Sequence, residues 1–139
     1  MKLITQDQVK SKIIKLRDQN VLLDSDVAEL YGVETRAINQ AVKRNLEKFP
    51  DGYLLQLDFG EWRNLKSQFV TSIERGGRTK LPTAFTERGL YMLATILKGP
   101  QAIHTTLAII DTFVQVKELI KTVHQMANAK DEQKIEMFN

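Results

Sequence analysis

The chain reads as an α+β domain, and three observations carry that reading. Short apolar runs bounded by turn residues mark strands near residues 13–16, 21–23, 53–57 and 80–85. Apolar residues at helical spacing mark several short helices and one long helix towards the C-terminus. Between them, residues 24–45 read as two short helices meeting at a glycine. The expected architecture is a small helix-turn-helix-containing domain with short β-hairpin and sheet elements and a long C-terminal helix. Residues 1–125 form the domain and residues 126–139 a polar, frayed tail.

Length and composition fit this. At 139 residues, 42% apolar, with 7 Gly and 3 Pro, the chain is one domain, or one domain with a tail, with enough material for a core. A net charge of +3 and a pI of about 9.2 permit nucleic-acid binding without establishing it. The absence of cysteine excludes disulfides, thiolate chemistry and Cys-based zinc sites, and it fits a reducing compartment. The opening MKLITQDQVKSK has no signal-peptide core, and no run approaches the ~20 apolar residues of a membrane span. A soluble, cytoplasmic protein with no membrane partner is expected.

Taken in order, Thr5 and Gln8 predict a capping box over a short first helix. Ile13, Ile14 and Leu16 then face Val21, Leu22 and Leu23 across a polar turn from Arg17 to Asn20, which predicts a β-hairpin. A longer helix through Leu16 competes, because Val9, Ile13 and Leu16 also fit helical spacing. Phe49-Pro50-Asp51-Gly52 is a breaker cluster ahead of a short strand at 53–57. Asp58 with Glu61 starts a helix that carries Trp62, Leu65 and Phe69 inward. Residues 80–85 offer a second strand to pair with 53–57. Thr86 caps a helix striped with Leu90, Leu93, Ala94 and Leu97 and stopped by Gly99-Pro100. From Pro100 a long helix runs to about Met126, with Ile103, Leu107, Ile110, Phe113, Val114, Val116 and Ile120 as its expected buried positions. Ala102, Ala108, Ile109 and Val123 add apolar surface off that stripe.

The helix pair carries the chemistry. Ala28 lets two helices approach, and Gly32 takes the positive φ that ends the first. Val27, Tyr31, Val33, Ile38 and Ala41 are expected to point inward. Outward on the second helix lie Thr35, Arg36, Asn39, Gln40, Lys43 and Arg44, residue types that bond phosphates and base edges. Arg36, Asn39, Gln40 and Lys43 fall at i, i+3, i+4 and i+7, one stripe of the helix. Asn39 and Gln40 suit adenine, Arg36 suits guanine, and Lys43 and Arg44 suit phosphate. A solvated helix face accounts equally well for Lys43 and Arg44. It accounts less well for Asn39 and Gln40, where Glu or Lys would be the better surface helix formers. The Arg75-Gly76-Gly77-Arg78 loop, with Lys80, is a basic tip that can lie beside a groove.

Other features carry less. His104 and His124 are about 30 Å apart along one helix and cannot share a metal within a chain. Trp62, Phe69, Phe85, Tyr91 and Phe113 are scattered like core aromatics and not like a base-stacking platform. Asp51 with Glu61-Trp62-Arg63 matches a metal-dependent nuclease pattern poorly, since Arg63 stands where Lys is usual. No hydrolase triad, phosphate-binding glycine loop or zinc pattern is found. No catalysis, metal or small-molecule cofactor is expected.

Three blocks resemble one family. VLLDSDVAELYGVETRAINQAVKRNLEKFP closely resembles the opening of ORF6N domains of phage and bacterial proteins. GYLLQLDFGEWRNLKSQ is similar to that family's F-x-F-Q-L-x-x-x-E-W-x-x-L-x-S-Q stretch, with Tyr53 and Leu55 at its aromatic positions. GGRTKLPTAFTERGLYMLATIL resembles its G-G-R-x-x-x-P-x-A-F-T-E-x-G-x-x-M-L-x-x-x-L block. Together the matches run from about residue 13 to 120. The family is related to KilA-N and Bro-N modules and is regarded as DNA-binding. It often opens longer proteins, including candidate phage antirepressors. The resemblance implies double-stranded DNA as partner and a transcriptional or phage-related regulatory role in a bacterial cell, phage- or prophage-encoded. A protein-interaction module docking a repressor or another acidic partner is the alternative. The broad apolar surface of the last helix adds the expectation of a homodimer.

Overall fold

A computed structural model describes residues 3–68 and 80–137. The fold is α+β, with a four-stranded antiparallel sheet between two helical layers. Helix α1, Gln6–Lys10, opens on the expected capping box of Thr5 and Gln8. Strands β1, Ile14–Leu16, and β2, Gln19–Leu23, form the expected hairpin, so the rival helix through Leu16 does not occur. Its turn is tighter than Arg17–Asn20: Leu16 pairs with Gln19, leaving Arg17 and Asp18 at φ 51 and 64. Two positive φ values are what a two-residue turn needs to match strand twist. Arg17 is held there by Glu61, through Nε and Nη2 at 2.9 and 2.8 Å, and by the Gln56 carbonyl at 3.0 Å.

Helices α2, Asp24–Tyr31, and α3, Thr35–Lys43, follow, then a 3-10 turn at Leu46–Lys48. Strand β3 is Leu54–Gln56 and helix α4 is Phe59–Gln68. Asp58 and Glu61 form the capping box of α4, each accepting from the other's backbone N–H. Leu65 is buried and Trp62 half-buried as expected, while Phe69 lies outside the described residues. Strand β4 is Thr83–Thr86, helix α5 is Glu87–Ala94, and helix α6 is Pro100–Met137.

The sequence suggested a two-part sheet. Instead β4 lies between β3 and β2, giving the order β1-β2-β4-β3. Val21, Leu22 and Leu23 pair with Thr86, Phe85 and Ala84. Side chains alternate across the sheet, so β2 and β4 bury residues on both faces. Leu22 and Phe85 join Val9, Val27, Leu30, Leu90, Leu93, Ile109 and Phe113 on the larger helical side. Leu16, Val21, Leu23 and Ala84 join Leu57 and Leu65 beneath α4. Each large side chain so buried stabilises the fold by about 1.5–3 kcal/mol.

Helix α5 passes directly over the backbone of β3's start. A Cβ on Gly89 would lie 2.1 Å from the Tyr53 carbonyl oxygen. That same oxygen accepts from the backbone N–H and the hydroxyl of Thr86, at 3.2 and 3.0 Å. The Thr86 hydroxyl oxygen in turn accepts from the Gly89 N–H at 3.3 Å, capping α5.

Helix α6 corrects the expected burial. Of the anticipated core positions Phe113 is buried and Ile110 and Val116 are half-buried, but Ile103, Leu107, Val114 and Ile120 are exposed. The side that packs on the body carries Ala102, Thr105, Ala108, Ile109, Thr112 and Phe113. Small residues there let α1 and α2 come close. The buried threonines bond backbone, Thr105 to the Leu30 carbonyl at 3.3 Å and Thr112 to the Ala108 carbonyl at 2.6 Å. The Tyr31 and Thr106 hydroxyls meet at 2.6 Å. Past Val116 the inner side continues apolar through Leu119, Val123 and Met126, now exposed. The helix also runs to Met137 where a frayed tail was expected. Tyr91, expected in the core, is 37% exposed. Among the described residues no helix is long and apolar enough to cross a membrane.

Candidate nucleic-acid interface

The candidate surface is built by the turn between α2 and α3. Gly32 sits at φ 70, ψ 32, and ends α2 with two bonds, Gly32 N–H to Glu29 and Val33 N–H to Ala28, at 3.1 and 2.9 Å. This pairing is a Schellman motif and sets the exit direction of the chain. A Cβ on Gly32 meets nothing within 4 Å, so the position requires glycine for its φ and not for space. Val27, Ala28 and Tyr31 are buried as expected. Val33 is exposed instead of inward, because it belongs to the turn, and Val42 is buried further along α3 while Ala41 is half-buried.

Ile38 and Val42 seat α3 on the core. That rotation leaves Arg36, Asn39, Gln40, Lys43 and Arg44 exposed and Thr35 half-buried at the helix start. Beside α3 runs an open groove of about 530 Å³. From α3 it is lined by Arg36, Asn39, Gln40, Val42 and Lys43; Leu46 follows, then Gln56 of β3, Lys80, Leu81 and Thr83 at β4, and Asp24 of α2. Thr35 and Arg44 do not line it. Arg75 and Arg78, with the glycines between them, lie outside the described residues. Lys80 thus stands across the groove from the α3 stripe, a juxtaposition that spacing alone leaves open.

The groove side chains differ in freedom. Gln56 is fully engaged in the sheet: its Nε2 donates to the Leu81 and Pro82 carbonyls and its Oε1 accepts from the Thr83 hydroxyl. Arg36 approaches Glu34 at 3.6 Å, but both are 80% exposed, so the pair is weak. Asn39 donates from Nδ2 to Asp24 Oδ2 at 3.1 Å. Asp24 and Gln56 were missed as site residues. Asp24 reads in sequence only as a helix-start acid, and Gln56 only as a strand residue.

The weak nuclease pattern gains nothing in three dimensions. Both Glu61 oxygens bond Arg17, whose guanidinium, with the Asp58 backbone N–H, holds the Glu61 carboxyl down to about 2. Among the described residues no group of three His, Asp or Glu side chains is placed to hold a metal, and His104 and His124 are exposed on α6.

A family model described as ORF6N domain matches residues 11–96. That span takes in α2, α3, the groove and the whole sheet, and leaves out α6, which the resemblance had reached into. No curated protein and no solved structure matches the chain.

Proposed function

The chain belongs to the ORF6N domain family, and from the face that α3 presents we propose that it binds double-stranded DNA with sequence preference. The observation that carries the proposal is the exposed Arg36, Asn39, Gln40 and Lys43 stripe with Lys80 across the adjoining groove. In this reading α2 and α3 act as a helix-turn-helix and α3 enters the major groove. Asn39 and Gln40 read base edges, Arg36 reads guanine, and Lys43, Arg44 and Lys80 hold phosphates. The net charge of +3 favours approach to a polyanion. The regulatory role, in a phage or prophage setting, follows the resemblance.

The exposed apolar residues of α6 support a second part, a two-fold homodimer. Leu119, Ile120, Val123 and Met126 extend beyond the part of the helix that packs on its own body. A dimer joined there would place two α3 helices on an inverted repeat, with half-sites about one helical turn apart or a multiple of it.

Selection of bound sequences from a random duplex library tests the reading. Asn39→Ala or Gln40→Ala should cost about 1–3 kcal/mol at the selected site and much less on random DNA. Lys43→Ala should weaken both together and flatten the salt dependence. Absence of duplex binding, with capture of an acidic protein partner by the same face, would replace it with the interaction-module reading.

A further inference from the structure

A carboxylate is an unexpected neighbour for a surface that meets phosphate. Asp24 occupies the first position of α2, where the helix dipole favours its charge, and it is 1% exposed. Its Oδ1 accepts from the Ser25 N–H at 2.8 Å. Its Oδ2 accepts from Asn39 Nδ2 at 3.1 Å and, more loosely, from the Thr83 N–H at 3.5 Å. One carboxyl group therefore ties together α2, α3 and β4.

We propose that Asp24 is a positioning residue that presets the Asn39 amide for adenine; this rests on α3 being the recognition helix. Both Asp24 oxygens accept hydrogen bonds, Oδ1 from Ser25 and Oδ2 from Thr83 and Asn39, so the amide edge turned to Asp24 is nitrogen. The opposite flip would set two acceptors against each other. With one N–H given to Asp24, Asn39 keeps its second N–H and its Oδ1. Those are the two groups adenine requires, Oδ1 accepting from N6 and the N–H donating to N7. An untethered asparagine samples both flips and several rotamers and loses that freedom on binding. A buried anchor removes the loss before DNA arrives. The Gln40 side chain makes no hydrogen bond among the described residues, while its backbone carbonyl accepts from the Arg44 N–H at 3.0 Å, so the helix carries one preset reader beside one adaptable reader.

The test applies the random duplex selection to the wild type, Asp24→Asn, Asn39→Ala and the double variant. Asp24→Asn keeps the shape but can donate as well as accept, so the flip is released. It should lower the adenine preference at a single position about tenfold. Preferences elsewhere should stay and affinity for random duplex should not fall, since a negative charge is removed, and adding Asp24→Asn to Asn39→Ala should cause no further loss of adenine preference. An unchanged adenine preference, or an equal loss at every position and on random DNA, would overturn the positioning role. A wild type that selects no sequence would instead remove the recognition reading, and this proposal with it. Should Asp24→Asn unfold, side-chain ¹⁵N relaxation on the DNA-free wild type decides. The Asn39 amide should be as ordered as the backbone and that of Gln40 mobile; a freely rotating Asn39 amide refutes the anchor.

Discussion

Replacing Gly89 by alanine tests the tightest contact in the fold. In an exposed helix the change would stabilise by about 1 kcal/mol, because alanine is the better helix former. Here the new Cβ would lie 2.1 Å from the Tyr53 carbonyl oxygen. Restoring an ordinary carbon–oxygen contact of ~3.3 Å moves α5 and the start of β3 apart by roughly 1 Å. Overpacking of that kind costs about 1–3 kcal/mol. The two Thr86 hydrogen bonds to the same carbonyl are disturbed as well, at about 0.5–1.5 kcal/mol each. Set against the helix gain of about 1 kcal/mol, the net loss is about 1–5 kcal/mol, centred on ~3. With an unfolding entropy of ~2.1 cal/mol/K per residue, melting should fall by roughly 10 °C in a chain of 139 residues. Gly60→Ala is the control, since its Cβ would stand 3.4 Å from Asp58 Oδ1, and it should leave melting unchanged or raise it. Thermal melts followed by circular dichroism measure both. Gly89→Ala melting at or above wild type would show that α5 does not sit on Tyr53 as described.

At Gly32 the open space makes backbone strain the whole effect, so Gly32→Asn should lose least, Gly32→Ala about 1 kcal/mol, and Gly32→Val most. Equal losses for asparagine and valine would point to bulk instead. The Glu61 carboxyl is held at about 2, below its ordinary 4.5, so its stabilising effect is present above about 4.5 and disappears as pH falls through 2. The melting difference between wild type and Glu61→Gln should therefore be full at neutral pH and shrink in that window; a difference independent of pH contradicts the Arg17–Glu61 pairing. Light scattering at micromolar concentration should give twice the 15.9 kDa of one chain, and Val123→Glu should halve it. A monomeric wild type at all concentrations would remove the α6 interface.

Local chemistry was legible and distant pairing was not. The capping boxes at Thr5 and Asp58, the Gly32 turn and the polar stripe of α3 each depend on residues within about two turns, and all were readable from spacing. The join of β2 to β4 depends on residues 21–23 meeting 84–86, and no local pattern marks it. Helix α6 departs from the expected burial because bulk does not mark its packed side. That side sets Ile109 and Phe113 among alanine and threonine, which gain by close approach, and leaves Ile103, Leu107, Val114 and Ile120 outside. The groove was legible only by half: α3 supplied one wall, while the wall of Gln56, Lys80 and Thr83 exists only once the sheet closes.

The place of β4 in the sheet also sets an order of events. The β1–β2 hairpin and the α2–α3 corner are made from neighbours in the chain and can form while later residues are still being synthesised. The partner of β2 arrives only after some sixty more residues, since Leu22 pairs with Phe85. Closing so long a loop carries an entropic cost that grows as ~(3/2)RT ln n. A nascent chain halted before residue 80 would thus display α3 with an unpaired sheet edge beside it, the kind of edge that recruits other strands. The second wall arrives with the sequence that covers that edge, so acquiring the groove and losing the aggregation hazard are one folding step. Ribosome-stalled chains of increasing length should show it, with protease resistance of α3 rising in a single step once β4 has emerged.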